Sequence, residues 1–172
     1  MPNPFKDIKS IILDFDGVFT DNYVYLNEIG QETVKCSRSD GLGISNFRAS
    51  TLSRNEKIDL LIVSTEKNPV VKKRSKKLKI KSHSGVTDKR SKIEKLFTSK
   101  SIHASDWEQV LYIGNDTNDL ECIKRARLAF APSDAHPSVV AVVDFIGSRR
   151  GGDGFVRECL EYFEAEYSKE NI

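Results

Sequence analysis

The stretch Ile11-Ile12-Leu13-Asp14-Phe15-Asp16-Gly17-Val18-Phe19-Thr20-Asp21 carries the pattern that decides the fold. An apolar run enters it, two carboxylates follow one residue apart, and a glycine then lets the chain turn. An unbroken apolar run of this length, bounded by turn residues, predicts a strand over about Lys9–Phe15 that is buried on both faces. Burial on both faces belongs to a parallel sheet. Open sheets of that kind keep their chemistry at the C-terminal strand ends, where Asp14 and Asp16 emerge.

Outward from this strand the sequence alternates strand-like and helix-like segments, the pattern of a parallel sheet flanked by helices. Tyr23–Cys36 interrupts that alternation with two short β-prone runs around an Asn/Gly turn, and is read as a hairpin insertion. Ser39 or Asp40 is expected to cap the next helix, with Ile44, Phe47 and Leu52 as its apolar stripe. Leu60–Val63 reads as a second buried strand ending at Ser64. Asn68-Pro69 starts a helix rich in lysine, and Ile80–Ser84 is a short strand. Asp88 caps a helix carrying Ile93, Leu96 and Phe97. Val110–Ile113 is a further buried strand, ending in Gly114-Asn115-Asp116-Thr117-Asn118-Asp119. Leu128–Ala131 and Val142–Ile146 are the last strands, and Val156, Cys159, Leu160 and Phe163 mark a final amphipathic helix.

At 172 residues the chain is expected to form one domain, 1–172, with the hairpin at about 23–36 as an insertion and no large cap domain. The fold class is α/β, Rossmann-like, with helices on both faces. Hydrophobic residues make up 38% and charged residues 30%, and the net charge is +2, too small to argue for nucleic acid or an anionic membrane. No apolar run approaches the roughly 20 residues of a membrane span. Met1–Lys6 lacks the apolar core of a signal peptide, and three scattered cysteines fit neither a disulfide framework nor a zinc spacing. These features predict a cytoplasmic protein. The run Lys72–Lys81 reads as a solvated helix face that also attracts anions.

Three strands thus end in oxygen-bearing loops: Asp14/Asp16, Ser64, and Asn115/Asp116/Asp119. Right-handed crossovers bring those ends to one edge of the sheet. A carboxylate there can attack phosphorus and form an aspartyl-phosphate, which splits one difficult displacement into two easier ones. Both partners are anionic, so a hard cation such as Mg²⁺ is needed, with the acidic loop after Ile113 to hold it. In this reading Asp14 is the nucleophile. Asp16 protonates the leaving alkoxide and then deprotonates the attacking water. Ser64 donates to a phosphoryl oxygen, and Lys89 supplies fixed positive charge.

At these residues the chain resembles the haloacid dehalogenase superfamily of phosphohydrolases, through Asp14-Phe15-Asp16-Gly17, Ser64, Lys89 and Gly114–Asp119. Gly17–Asp21, Ser39–Ile44 and Gly151–Glu158 are similar to a narrower, capless group. It contains the 3-deoxy-octulosonate 8-phosphate phosphatases, the nine-carbon ulosonate 9-phosphate phosphatases and the C-terminal domain of some acylneuraminate cytidylyltransferases. The resemblance implies Mg²⁺ dependence, a homotetramer assembled through the hairpin, and a glycine-rich segment Arg150–Glu158 that helps close a neighbour's site. Arg150 and Arg157 are then expected at a substrate carboxylate. It also implies a metal set of Asp14, Asp16, Asn115, Asp116 and Asp119. The family's first metal-binding Asp in the last motif is Asn115 here, which ligates without charge, so Asp116 is an alternative and metal affinity is expected to be weaker.

Octulosonate-type members follow the motif serine with Gly-Arg, whereas this chain has Thr65-Glu66. That version resembles the nine-carbon group, with Lys77 expected to pair with Glu66 over the substrate. The function expected is therefore hydrolysis of a nine-carbon, sialic-acid-type 2-keto-3-deoxy sugar-acid 9-phosphate. The alternatives are an octulosonate 8-phosphate and a non-catalytic oligomerisation module.

Overall fold

A computed structural model describes residues 3–169. In chain order its main elements are β1 (Ser10–Leu13), a hairpin of β2 (Tyr25–Leu26) and β3 (Glu32–Thr33), α1 (Arg38–Ser53), β4 (Asp59–Val63), α2 (Val70–Leu78), β5 (Lys81–His83), α3 (Lys89–Thr98), β6 (Val110–Ile113), α4 (Leu120–Ile123), β7 (Leu128–Ala131), α5 (Pro137–Val140), β8 (Phe145–Ile146) and α6 (Phe155–Tyr167). Six strands form one sheet in the order β5-β4-β1-β6-β7-β8, every pair parallel. The run from Ile11 is its centre, with β4 on one side and β6 on the other. Among the described residues there is no cap domain, and no helix is long and apolar enough to cross a membrane.

The two-residue period of the strands divides the apolar side chains between two cores. Ile11, Leu13, Leu60, Ile62, Leu111 and Ile113 pack with Ile44 and Phe47 of α1, Val71 of α2, and Val156, Leu160 and Phe163 of α6. Ile12, Leu61, Val63, Val110 and Tyr112 pack on the other face with Ile93 and Leu96 of α3, Ile123 of α4 and Val139 of α5. Both faces being covered explains why β1 reads as a continuous apolar run rather than an alternating one.

Two helix details differ from the sequence expectation. Ser37, not Ser39 or Asp40, caps α1, its hydroxyl oxygen accepting from Ser39 N at 3.1 Å. The stripe of α1 runs Ile44–Phe47–Thr51, while Leu52 is 76% exposed. One position along a helix is a turn of about 100°, which carries residue 52 off the buried face. The caps expected downstream form: Asn68 Oδ1 accepts from Val70 N, and Asp88 Oδ1 from Ser91 N. The hairpin forms with shorter arms than its sequence suggests. Tyr25 pairs with Thr33 and Leu26 with Glu32, and a bridge between Thr20 and Cys36 closes its base. β8 is likewise shorter than Val142–Ile146, because α5 and its exit occupy the residues before it.

The early cap turns Asp40 inward. It is fully buried, with Oδ1 accepting from Arg157 N at 3.1 Å and Oδ2 meeting no partner. Burial pushes its carboxyl up to about 6, against the backbone N–H of Arg157 and the charge of Arg74. A carboxyl raised on folding stabilises the fold below its unfolded value near 3.9, and that contribution is lost as pH rises through about 6. Asp40→Asn should therefore raise unfolding free energy at pH 7.5 by about 1–3 kcal/mol and remove this component of the pH 4–6 dependence. Urea unfolding at pH 4.5 and 7.5 checks this; identical pH dependence in both proteins would contradict it.

Candidate active site

The parallel order sets the C-terminal ends of β4, β1 and β6 side by side, and with them Ser64, Asp14 and the Gly114–Asp119 loop. Asp14 N still donates to Ile113 O at 2.9 Å, so the residue leaves the sheet with its backbone fixed. Its Oδ1 accepts from Phe15 N at 2.7 Å and from Lys89 Nζ at 2.8 Å. Gly17 then turns the chain at φ +75°, and a Cβ there would stand 2.0 Å from Asn115 Nδ2. Only glycine meets both the left-handed backbone and this approach. Thr20, which the sequence reading did not single out, organises the turn: its Oγ1 accepts from Gly17 N and Asn22 N and donates to Asp16 Oδ1 at 3.3 Å. A threonine four positions after a carboxylate in a tight turn is the sequence signal that could have found it.

Lys89 is 3% exposed and bridges two carboxylates, Asp14 Oδ1 and Asp119 Oδ1, each at 2.8 Å. Burial pulls the Lys89 ammonium down, but Asp14 and Asp119 outweigh it and the net shift is upward. Asp14 is pushed up to about 7, by burial and then by the charge of Asp119, against Lys89. Asp16 is also raised, by burial first and then by Glu66, with the Thr20 bond opposing. A nucleophile and a proton carrier thus stand one residue apart, with a fixed cation against the first.

Asp119 is fully buried and its oxygens are occupied. Oδ1 receives Lys89 Nζ and the Tyr112 hydroxyl, and Oδ2 receives Asn115 N at 3.0 Å and Asp116 N at 3.3 Å. In this arrangement it anchors Lys89 and the loop, and has no oxygen turned to a metal, which departs from its place in the expected metal set. Asp116 spends one oxygen capping Thr117 N. Asn115 is different. Its side-chain oxygen is buried and has no partner, whereas buried acceptors nearly always find one. An unspent amide oxygen in the loop that follows the strand paired with β1 fits a hard cation that prefers oxygen.

Ser64 is buried, and its hydroxyl oxygen accepts from Glu66 N at 3.0 Å, which leaves its O–H to donate. Glu66 is held by Asn68 N on Oε1 at 2.6 Å, and Asn68 Nδ2 reaches Glu32 of the hairpin at 3.2 Å. One contact expected within the chain does not form, and the two arginines expected at a neighbour's site have partners in their own chain. Lys77 does not pair with Glu66: it lines a groove of about 450 Å³ between α1 and α2, with Arg38, Arg48, Arg74 and Lys79. Arg157 runs along its own helix to Glu161 at 2.6 Å and packs over Gly43. Arg150 pairs with Asp134 at 3.2 Å on the surface.

Residues 55–158 match the family model of the haloacid dehalogenase-like hydrolases. The 3-deoxy-D-manno-octulosonate 8-phosphate phosphatase of Escherichia coli K12 is 30% identical over 157 residues, covering 91% of this chain and 79% of that protein. N-acylneuraminate cytidylyltransferase B of Danio rerio is 26% identical over 159 residues, covering 90% of this chain; the chain spans only 36% of that protein's length. The crystal structure of the octulosonate 8-phosphate phosphatase of Moraxella catarrhalis, in complex with magnesium, phosphate and its sugar acid, superposes with a TM-score of 0.84 at 29% identity. It covers 95% of this chain and 89% of that one. With the nucleophile turn, the buried lysine and the last acidic loop meeting at one sheet edge, this chain belongs to the haloacid dehalogenase-like hydrolases and stands among that family's phosphatases.

Proposed function

We propose that the chain hydrolyses the phosphate monoester of a 2-keto-3-deoxy sugar acid, and that residues 1–172 work as one catalytic domain. The observation that carries this reading is Lys89, buried and bridging Asp14 and Asp119 beside Asp16 and Ser64. Asp14 attacks phosphorus through its free oxygen while Lys89 holds the other. Asp16 keeps a proton through its burial and the charge of Glu66, and passes it to the leaving alkoxide. The product is an aspartyl-phosphate and a free sugar acid. Asp16, now a carboxylate, takes a proton from the water that attacks the phosphoryl group, and Asp14 is released with inorganic phosphate. Ser64 donates its hydroxyl to a phosphoryl oxygen throughout. A divalent cation, Mg²⁺ in this reading, would be held by Asp14 and Asn115 with Asp16 and Asp116 beside them, and supplies charge that masks the repulsion between carboxylate and phosphate. With an uncharged amide in the set, its affinity is expected to be modest.

The nine-carbon 9-phosphate is the substrate favoured by Glu66, which stands where octulosonate-type members carry arginine. Identity with the Escherichia coli phosphatase, 30% over 157 residues, favours the eight-carbon 8-phosphate. A non-catalytic module has no use for a buried lysine between two carboxylates, since such a set is costly to bury. A panel of eight- and nine-carbon ulosonate phosphates, assayed for phosphate release with Mg²⁺, separates these readings. Wild type should turn over the nine-carbon ester best. Asp14→Asn should lose at least about 10³-fold in kcat, and Glu66→Arg should invert the preference. Activity equal in wild type and Asp14→Asn would end the enzyme reading, and an unchanged order in Glu66→Arg would end the selectivity reading.

The homotetramer belongs to the same proposal. Tyr23, Val24, Tyr25, Leu26 and Ile29 of the hairpin are each more than half exposed, and an isolated two-stranded ribbon is marginal in water. A neighbouring copy covers this surface in the proposed assembly. Sedimentation should give four copies for wild type and smaller species for a Tyr25→Glu/Leu26→Lys variant. A monomeric wild type, or an unchanged mass in the variant, would refute the arrangement.

A further inference from the structure

Tyr112 lies in the middle of β6 on the face covered by α3 and α4, and is fully buried. Its neighbours in that core are mostly aliphatic, with Cys122 among them, and the sequence alone assigns it to packing. A phenol in such a core needs a partner for its hydroxyl. Here the O–H donates to Asp119 Oδ1 at 2.7 Å, the same oxygen that receives Lys89 Nζ at 2.8 Å. Lys89 in turn reaches Asp14 Oδ1 at 2.8 Å. One line of contacts therefore runs from the core of the sheet to the nucleophile.

We infer that Tyr112 is a positioning residue for the phosphatase reaction: its hydroxyl shares Asp119 Oδ1 with Lys89, so that the ammonium stands evenly between Asp119 and Asp14. This inference rests on the assignment of Asp14 as nucleophile. An ammonium has three donors, and Lys89 spends one on each carboxylate, leaving the third for a phosphoryl oxygen. How far it leans to either side depends on the negative charge left on each oxygen. Asp119 Oδ2 is already quenched by Asn115 N and Asp116 N. The Tyr112 hydroxyl quenches Oδ1. Without it, Oδ1 holds Lys89 alone and draws the ammonium away from Asp14, where charge must be stabilised in the transition state. Burial and Asp119 raise the phenol well above its ordinary value, so Tyr112 stays a donor across the working pH range. An ammonium drawn off Asp14 would hold less well the charge that develops in the transition state, so the loss is expected in kcat rather than in KM.

The test is Tyr112→Phe, which removes one oxygen and keeps the ring. Against wild type and the best substrate of the panel, kcat should fall about 10-fold with KM changed less than about 2-fold, at an unchanged fraction folded. A crystal structure of the variant should have Lys89 Nζ farther from Asp14 than from Asp119. Unchanged kcat would overturn the inference. So would a loss that disappears once activity is expressed per folded molecule, or a Lys89 still equidistant from the two carboxylates. If wild type releases no phosphate, the functional reading fails. The crystallographic arm then still decides what Tyr112 does to Lys89.

Discussion

A lysine ammonium buried between two carboxylates is the constraint on which this structure turns. Lys89 is 3% exposed, Asp14 4% and Asp119 fully buried, so three charges are held where solvation is largely lost. Such a set is weak evidence for stability, because desolvation consumes most of the Coulombic gain. It persists because the fold supplies donors to both oxygens of Asp119 and to one oxygen of Asp14, leaving the other Asp14 oxygen for chemistry. The sheet brings Phe15 N to Asp14, the loop after β6 brings two backbone N–H groups to Asp119, and the core brings the Tyr112 hydroxyl. What the fold leaves unbalanced is one net negative charge on the triad and the unpartnered oxygen of Asn115. That remainder is a description of what a cation would meet.

The C-terminal part of the chain supports the same site from outside. A Cβ on Gly151 would stand 2.0 Å from Gly17 O, so the glycine-rich segment lies flush on the nucleophile turn of its own chain. Gly152 N donates to Val18 O, and Asp134 accepts from both Gly151 N and Arg150 Nε. The loop bearing Asp134 also sends His136 N to Asn115 O at 2.8 Å. The segment expected to act on a neighbour thus has a role within the chain, steadying the nucleophile turn and the Asn115 loop together.

Much of this was readable in the sequence because it depends on local, periodic signals. Unbroken apolar runs such as Ile11–Leu13 and Val110–Ile113 declare two-sided burial, and a parallel sheet then dictates where Asp14, Ser64 and Asn115 come to lie. Asp88 and Asn68 cap helices as their positions suggest. The misreadings concern direction rather than identity. Ser37 outcompetes Ser39 because it stands in extended backbone just outside the helix, where a capping side chain can reach back. Lys77 has the right chemistry, but it lines the groove between α1 and α2 instead of reaching Glu66. Thr20 acts through local bonds in its own turn, whereas the importance of Tyr112 lies in a single hydrogen bond from the core to Asp119, which no spacing rule encodes.

The central claim is that Asp14 is the attacking carboxylate, with Lys89 and Ser64 on the phosphoryl oxygens. A crystal structure grown with Mg²⁺ and beryllium fluoride, a mimic of a phosphoryl group on a carboxylate, tests it most directly. The account predicts beryllium bonded to an Asp14 oxygen, Lys89 Nζ and Ser64 Oγ against its fluorines, and the metal touching Asn115. Beryllium bonded to Asp16 or to no carboxylate, in a crystal that binds Mg²⁺, would contradict it.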